Sequence, residues 1–430
     1  MFERVVVIGA GVAGLAATWA AAQRGAKLRL FDGGLGASCL GGGAVDDRPW
    51  DEVARSVEVL DAPPLAKPLP EAVAIFASDL GLWRLPHPGE PLARLATASG
   101  RVRLARGHDR SLLDLSRLRR GARILMPIVP RAEWDAPSLA RAFAADAYAA
   151  SRGLRFSPID AKLLKHRGED RIAVADLASR HDDPDRRGWL VERLGELLDR
   201  AGPVDALLLG PWLGALEPIA PALEAELGVL VGEVLGGVGS AAGLRFEAAR
   251  ASLLATVGVS IEPRHAVRID AGDVADELVV ILDDDEEVVA DAVVIAAGGL
   301  AAGGVVYDPP EQRAGMDLPP AGGAPFRLSI AAPLQMHGHG RRLDVVGSVH
   351  GPALDQVGWP TDADPGLLES VGVRTEGTAA VLLEDADLGE GRLFAAGDVV
   401  ADRPRTMLQA AFDGIRAGAE AAGEPGALSA

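Results

Sequence analysis

The chain opens on an unbroken apolar run, RVVVIG (4–9). It continues into AGLAATWAAAQRG (13–25), closed by glycine, and then KLRLFD (27–32). A short continuous apolar run predicts a strand buried on both faces, and a longer apolar stretch ended by glycine predicts a helix. The chain therefore starts with a βαβ unit. From about 65 to 235, Pro-rich connections alternate with apolar segments. Of these, ARILMPIVP (122–130) predicts a strand and SLARAFAADAYAASR (138–152) a single helix. Residues 244–256 predict a further helix. SIEPRHAVRID, ELVVILD and DAVVIAAGG (260–299) then alternate strand-like runs with acidic turns, the pattern of a β-meander returning to a parallel sheet. After a Pro- and Gly-rich stretch over 300–385, GRLFAAGD and RTMLQAAFDGIRAGAEAA (391–422) predict a closing strand, turn and helix.

Composition narrows the class. The 430 residues, 48% hydrophobic and 24% charged, suit a soluble globular protein of two domains. MFERVVVIG lacks the basic, apolar and small-residue regions of a secretory signal, so a cytoplasmic protein is expected. The apolar stretches 206–216 and 227–244 are too short, or too interrupted by glycine and acid, to span a bilayer. Any membrane association would be peripheral, through a partner. The single Cys39 excludes an internal disulfide, a redox dithiol and a cysteine-ligated iron–sulfur cluster within this chain. If single electrons are passed on, another subunit must take them. A net charge of −18 argues against nucleic acid as a partner. The exception is RVRLARGHDRSLLDLSRLRRGAR (101–123), with eight arginines, which fits a solvated helical face or a docking point for an anion or partner.

Gly9, Gly11 and Gly14 form G-x-G-x-x-G. With glycine at 52 of 430 positions, the bare triplet is expected about once by chance, so its context decides. Here it follows a predicted strand and opens a predicted helix, and Asp32 ends the second strand. Gly9 would make the tight turn, Gly11 would let the backbone approach a pyrophosphate, and Gly14 would let helix and strand pack closely. The helix N-terminus offers N–H groups and the positive end of a dipole to phosphates. Asp32 can accept from an adenosine ribose hydroxyl, and would repel a 2′-phosphate.

LFAAGDV (393–399), closing on Ala396-Gly397-Asp398 before a helix that begins near Thr406, resembles the second flavin fingerprint of FAD oxidoreductases. DAVVIAAGG resembles the A-x-G-G strand of the same superfamily, that of the fumarate reductase-like flavoproteins. GLGASCLGGGAVD (34–46), with Gly43, Ala44 and Asp46 at its end, resembles the B-subunit family of anaerobic glycerol-3-phosphate dehydrogenase. So do ALLLGPWLGALEP (206–218), GLRFEAARASLLATVGV (243–259) and the approach to the last fingerprint, 372–398. One departure stands out: where that family tends to carry a Gly-Gly pair, this chain has Ala401-Asp402-Arg403-Pro404.

The resemblance implies an α/β fold, with a Rossmann-like FAD-binding domain (parallel sheet with β-meander) from 1–64, 238–305 and 386–430. An inserted α+β substrate or cap domain would come from 65–237 and 306–385. It implies FAD, with FMN the alternative, held by Gly9, Gly11, Ala13, Gly14, Asp32, Ser38, Gly42, Gly43, Val267, Ala297, Gly298, Gly397, Asp398, Met407 and Leu408. It also implies a complex with a sister dehydrogenase subunit and an iron–sulfur subunit. That complex would oxidise sn-glycerol 3-phosphate to dihydroxyacetone phosphate and pass electrons to quinone. The alternatives are a stand-alone FAD oxidoreductase on another small substrate and a non-catalytic flavin relay.

Oxidising a secondary alcohol needs a base, and histidine titrates near neutrality. LQMHGHGRRLD (334–344) puts His337 and His339 beside Arg341 and Arg342 in a predicted loop, where a guanidinium could grip a phosphate. Solvated loop histidines are the competing reading. Spaced i, i+2, the two histidines would need further ligands to hold a metal, and the sequence displays none.

Overall fold

The computed structural model describes residues 3–48, 68–274, 277–299, 301–304, 306–308, 329–331, 335–338, 341–343, 372–375, 378–381 and 391–423. The chain divides into two compact units, one formed by Met1–Ala37 with Leu253–Ala430 and the other by Ser38–Ser252. Among the described residues no helix is long and apolar enough to cross a membrane.

The first unit follows the predicted alternation. It contains β1 (Arg4–Ile8), α1 (Val12–Ala22), β2 (Lys27–Phe31), β3 (Ile261–Glu262), β4 (Ala266–Ala271), β5 (Leu278–Leu282), β6 (Glu287–Ala290) and β7 (Ala292–Ile295). After these come β8 (Gln335–Gly338), β9 (Arg341–Leu343), β10 (Leu393–Ala395) and α2 (Met407–Ala421). Five strands form a wholly parallel sheet in the order β3-β2-β1-β7-β10. The meander β4-β5-β6 extends through β8 and β9 into a second five-stranded sheet.

Because a parallel strand is covered on both faces, it reads as continuously apolar. Val5, Val6, Val7 and Ile8 are accordingly all buried. Val6, Ile8, Val293 and Ile295 pack with Ile269, Val280 and Leu282 of the second sheet, which fills one side of the parallel sheet. On α1, ten of eleven residues are buried, so the helix needs no polar face and its sequence shows none.

His337 and Arg341 fall on the hairpin β8–β9 rather than in a loop. Residues 335–337 pair with β4, and 336–338 pair with β9. His339 lies outside the described residues.

The second unit has its own parallel sheet, ordered Leu230–Glu233, Ala206–Leu209, Arg123–Ile128, Arg155–Asp160. Its crossovers run through Ala136–Ala145, Pro184–Ala201 and Ala220–Leu227 among other helices. Smaller antiparallel sheets join Ala93–Ala96 to Val102–Ala105, and Gly107–Asp109 to Ala44–Val45 and Trp83–Arg84.

Two sequence expectations change here. The helix over 138–152 is broken at Asp146, whose extended backbone and carboxylate cap a new helix by accepting from the N–H groups of Tyr148 and Ala149. The eight-arginine segment is not helical but runs through the strands Val102–Ala105 and Gly107–Asp109 and a 3-10 turn. Most of its guanidiniums are taken up by groups distant in sequence, Arg103 by Asp46 and Arg119 by Asp205 among them.

Inside this unit Arg245 is fully buried. It donates to Asp109 Oδ2 at 2.7 Å, to Glu233, and to the carbonyls of Leu213 and Gly214. Burial, together with the neighbouring Asp109 carboxylate, pushes the Glu233 carboxyl up to about 7 against the pull of Arg245. Nearby, His181 is 1% exposed, and its Nδ1 sits 2.9 Å from the carbonyl of Trp212. Since a carbonyl only accepts, Nδ1 carries the hydrogen.

Burial holds the His181 pKa down at about 4. The unfolded ring titrates near 6.5, so between these values His181 binds more protons in the unfolded chain, and its contribution to stability falls by up to ~3 kcal/mol as the pH falls through the window, while the raised Glu233 carboxyl acts in the opposite direction. Denaturant titrations of the protein and of His181→Gln at pH 7, 5.5 and 4 isolate the His181 part: relative to the variant, the protein should lose up to ~3 kcal/mol between pH 7 and 4. A slope equal in both proteins would remove His181 from the account.

Candidate functional site

The carboxyl ends of the first unit's parallel strands carry the residues that could hold a ligand. After β1, Gly9 turns the chain at φ +100°, in the left-handed region that favours glycine. A Cβ at Gly9 would lie 2.2 Å from the carbonyl oxygen of Ala296, at the end of β7. A Cβ at Gly14 would lie 1.7 Å from the carbonyl oxygen of Gly9. Turn, helix and neighbouring strand therefore meet backbone to backbone. Gly11, extended at φ −65° and ψ −174°, is the N-cap of α1. No side chain caps this helix, and no acid lies in its first turn.

Backbone hydrogen bonds lace the strand ends together. Gly9 N–H donates to the Phe31 carbonyl at 2.7 Å, and Ala296 N–H donates to Ile8 at 2.8 Å. Ala396 N–H donates to Ile295 at 2.9 Å. Asp32, at the end of β2, donates its own N–H to Glu262 of β3 at 3.0 Å and is half-buried. Gly397, at φ +76°, turns the chain after β10, where a Cβ would be 2.6 Å from that of Ala13. Residues 9–14 and 396–398 are thus brought together at the first turn of α1. Asp398 faces Gly299 there, with 3.1 Å between its Cβ and a Cβ built on that glycine. Burial raises the Asp398 carboxyl, and the Arg405 guanidinium pulls it back.

The sequence-predicted residues distribute unevenly. Gly9, Gly11, Ala13, Gly14, Asp32, Ala297, Gly298, Gly397, Asp398, Met407 and Leu408 all lie at this edge or on the first turns of α1 and α2. Val267 lies on the meander strand β4, beside its register shift, and is 41% exposed. Ser38, Gly42 and Gly43 belong to the second unit. There a Cβ on Gly42 would strike the Gly236 carbonyl at 2.1 Å, and the Gly43 carbonyl accepts from Asp109 N–H. His337 stands opposite Arg342, and Gly338 opposite Arg341, on β8 and β9.

Two features escaped the sequence reading. Arg405 is the counter-charge of Asp398. Gly414 and Gly418 lay α2 directly on α1, where a Cβ would meet the carbonyl oxygens of Ala13 and Ala17 at 2.1 Å each. The signal for the second was present: Ala13 and Ala17 on one helix, Gly414 and Gly418 on the other, each pair spaced i, i+4 on one face.

No family model matches the sequence, and no curated protein matches it. Among solved structures, the chain is similar to glycine oxidase from Geobacillus kaustophilus. The identity is 13%, coverage is 100% of this chain and 96% of that one, and the TM-score is 0.33. It is also similar to 3-ketosteroid Δ1-dehydrogenase from Sterolibacterium denitrificans, at 14% identity over 69% of this chain and 48% of that one, with a TM-score of 0.27. For the anhydrotetracycline hydroxylase OxyS from Streptomyces rimosus the values are 12%, 98%, 62% and 0.30. The match thus spans about half the length of the ketosteroid dehydrogenase chain and nearly all of glycine oxidase. Similarities this distant add nothing to the site. The α/β class rests on the chain's own parallel sheets.

The helix contact sets a stability prediction. Gly418→Ala drives a methyl into backbone and should destabilise the protein by about 1–3 kcal/mol. Gly195→Ala, on Pro184–Ala201 with open space around it, should instead stabilise by about 0.5–1 kcal/mol. Denaturant midpoints of the two variants would test the pair, and equal shifts in one direction would contradict the contact.

Proposed function

We propose that the first unit binds FAD and that the protein is an FAD-dependent oxidoreductase. The observation that carries this reading is the convergence of the Gly9–Gly14 turn and the Gly397–Asp398 turn at the first turn of α1, with Asp32 at the same sheet edge. In open α/β sheets, ligands bind outside the carboxyl ends of the strands, where the strand order reverses. Here that point lies between β1 and β7, beside the Gly9 turn. Residues 9–14 fit a pyrophosphate because small side chains expose the backbone and the helix begins without a competing cap. Asp32 suits the hydroxyls of an adenosine ribose, and Asp398 a ribitol hydroxyl. When bound, the flavin supplies an acceptor for two electrons.

For the substrate we propose sn-glycerol 3-phosphate, oxidised to dihydroxyacetone phosphate, with a sister dehydrogenase subunit and an iron–sulfur subunit taking electrons onward to quinone. Support comes from the sequence resemblance over 34–46, 206–218 and 372–398. The lone Cys39 agrees, since it leaves cluster chemistry to a partner. The pairing of position 337 with position 342 also agrees, as it sets a histidine opposite an arginine. In this reading His337 takes the hydroxyl proton and the arginines hold the phosphate.

The purified chain should carry visible flavin absorbance. Asp32→Ala removes hydrogen bonds to a charged acceptor and should lower FAD affinity about ten- to a hundredfold; undiminished affinity would sink the assignment of Asp32. Anaerobic glycerol 3-phosphate should bleach the bound flavin. Flavin that stays oxidised would reject the substrate while leaving the cofactor standing.

A further inference from the structure

The second unit holds a cleft of about 550 Å³ that the cofactor reading does not use. This is within the size range of small-molecule sites. Its walls come from the helix Glu71–Leu80, the strand Trp83–Arg84 with the residues after it, and the helix Ala220–Leu227. Leu69, Trp83, Leu85, Pro86 and Pro221 give it an apolar lining. Trp83 is fixed by an edge-on contact with Phe76 at 6.2 Å.

The charged groups on the cleft are unbalanced. Arg117 is neutralised by Glu224, with 3.2 and 3.3 Å between their paired atoms. Arg84 and Arg110 also line the cleft, and among the described residues neither forms an ion pair. The Arg110 guanidinium donates to the Gly81 carbonyl at 3.3 Å, a neutral partner that leaves its charge in place. Two cationic side chains on one cleft stand out in a chain of net charge −18.

His108 forms part of the same wall and lies directly opposite Arg84 in the strand pairing. It is 1% exposed, and its Nδ1 is 2.7 Å from the Asp109 carbonyl, so Nδ1 carries the hydrogen. Burial, with a smaller push from Arg84, holds its pKa below the usual imidazole value against the pull of Asp114 and Asp109. The positive charge therefore belongs to the exposed arginines, while the deeper surface is apolar or uncharged.

We propose that this cleft binds a small organic carboxylate with an apolar body, the carboxylate held by Arg84 and Arg110 and the body lying against Trp83 and Leu85. A bare inorganic anion would leave the lining uncovered, and a neutral apolar molecule would leave the guanidiniums unmatched. Both features must be present in one ligand. The site belongs to the second unit alone and does not depend on flavin binding.

Calorimetric titration of the intact protein with phenylacetate, inorganic phosphate and phenethyl alcohol tests the proposal. Phenylacetate should bind at least about tenfold more tightly than either of the others, and the double variant Arg84→Gln/Arg110→Gln should lose about tenfold or more in phenylacetate affinity. Phosphate or phenethyl alcohol binding as tightly as phenylacetate would overturn it, as would the absence of binding or a double variant with undiminished affinity. Should the double variant fail to fold, a salt titration of the unaltered protein decides. Phenylacetate affinity should fall several-fold from about 0.02 to 0.2 M salt, and invariance would overturn the role of the arginines. The Asp32→Ala variant should bind phenylacetate normally, which separates a failure of this site from a failure of the flavin reading.

Discussion

The approach of the Gly9 carbonyl to Gly14, with no side chain between them, is the contact on which the first unit's sheet edge depends. It lets α1 start directly over the end of β1. The Ala296 carbonyl can then close on Gly9 from the neighbouring strand. The same economy continues outward. Gly414 and Gly418 seat α2 against the backbone of α1, and the turn at Gly397 before it ends against Ala13. This edge is therefore built mostly from peptide groups and held by backbone hydrogen bonds. Peptide N–H groups are well suited to phosphate oxygens, and tightly packed backbone has few other conformations to lose on binding.

The second unit shows that topology alone does not make a site. Its parallel sheet also reverses order, between Arg123–Ile128 and Ala206–Leu209, where an open α/β sheet offers a crevice. Small residues line that point in the first unit, whereas here tryptophans follow the strands. Trp134 and Trp212 are each 2% exposed and meet edge to face at 5.8 Å, and Trp134 donates to the Pro127 carbonyl at 2.6 Å. The crevice has become core. What the unit offers a ligand lies instead beside its small antiparallel sheet, where prolines and arginines stand with Trp83 on the cleft wall.

Legibility in the sequence followed the reach of the forces involved. The βαβ opening, the meander and the last strand and helix are set by local periodicity, and all were readable. The single helix over 138–152 failed because Asp146 can either sit in a helix or cap one, and only its neighbours decide. The arginine-rich segment misled for the opposite reason. Charge spacing suggested a solvated helix, whereas acids far along the chain, Asp46 and Asp205, take up its guanidiniums. At the sheet edge, Gly9, Gly14 and Gly397 were legible because each answers a backbone requirement. Arg405 was not, because its meaning comes from Asp398 seven residues earlier across a turn that the pattern does not specify.

That turn also bears on the Ala401-Asp402-Arg403-Pro404 segment, where the resembled family tends to carry two glycines. Asp402 adopts φ +56°, one of two non-glycine residues with positive φ among those described. Aspartate tolerates this region better than most side chains because its short carboxylate can bond locally. The chain thus adopts at Asp402 a backbone shape that glycine would take freely. What differs is chemical: an exposed carboxylate and the Arg403 cation now stand at the turn between the Gly397–Val399 segment and α2. The segment therefore alters the charge presented beside the Gly397 turn more than the path of the backbone there.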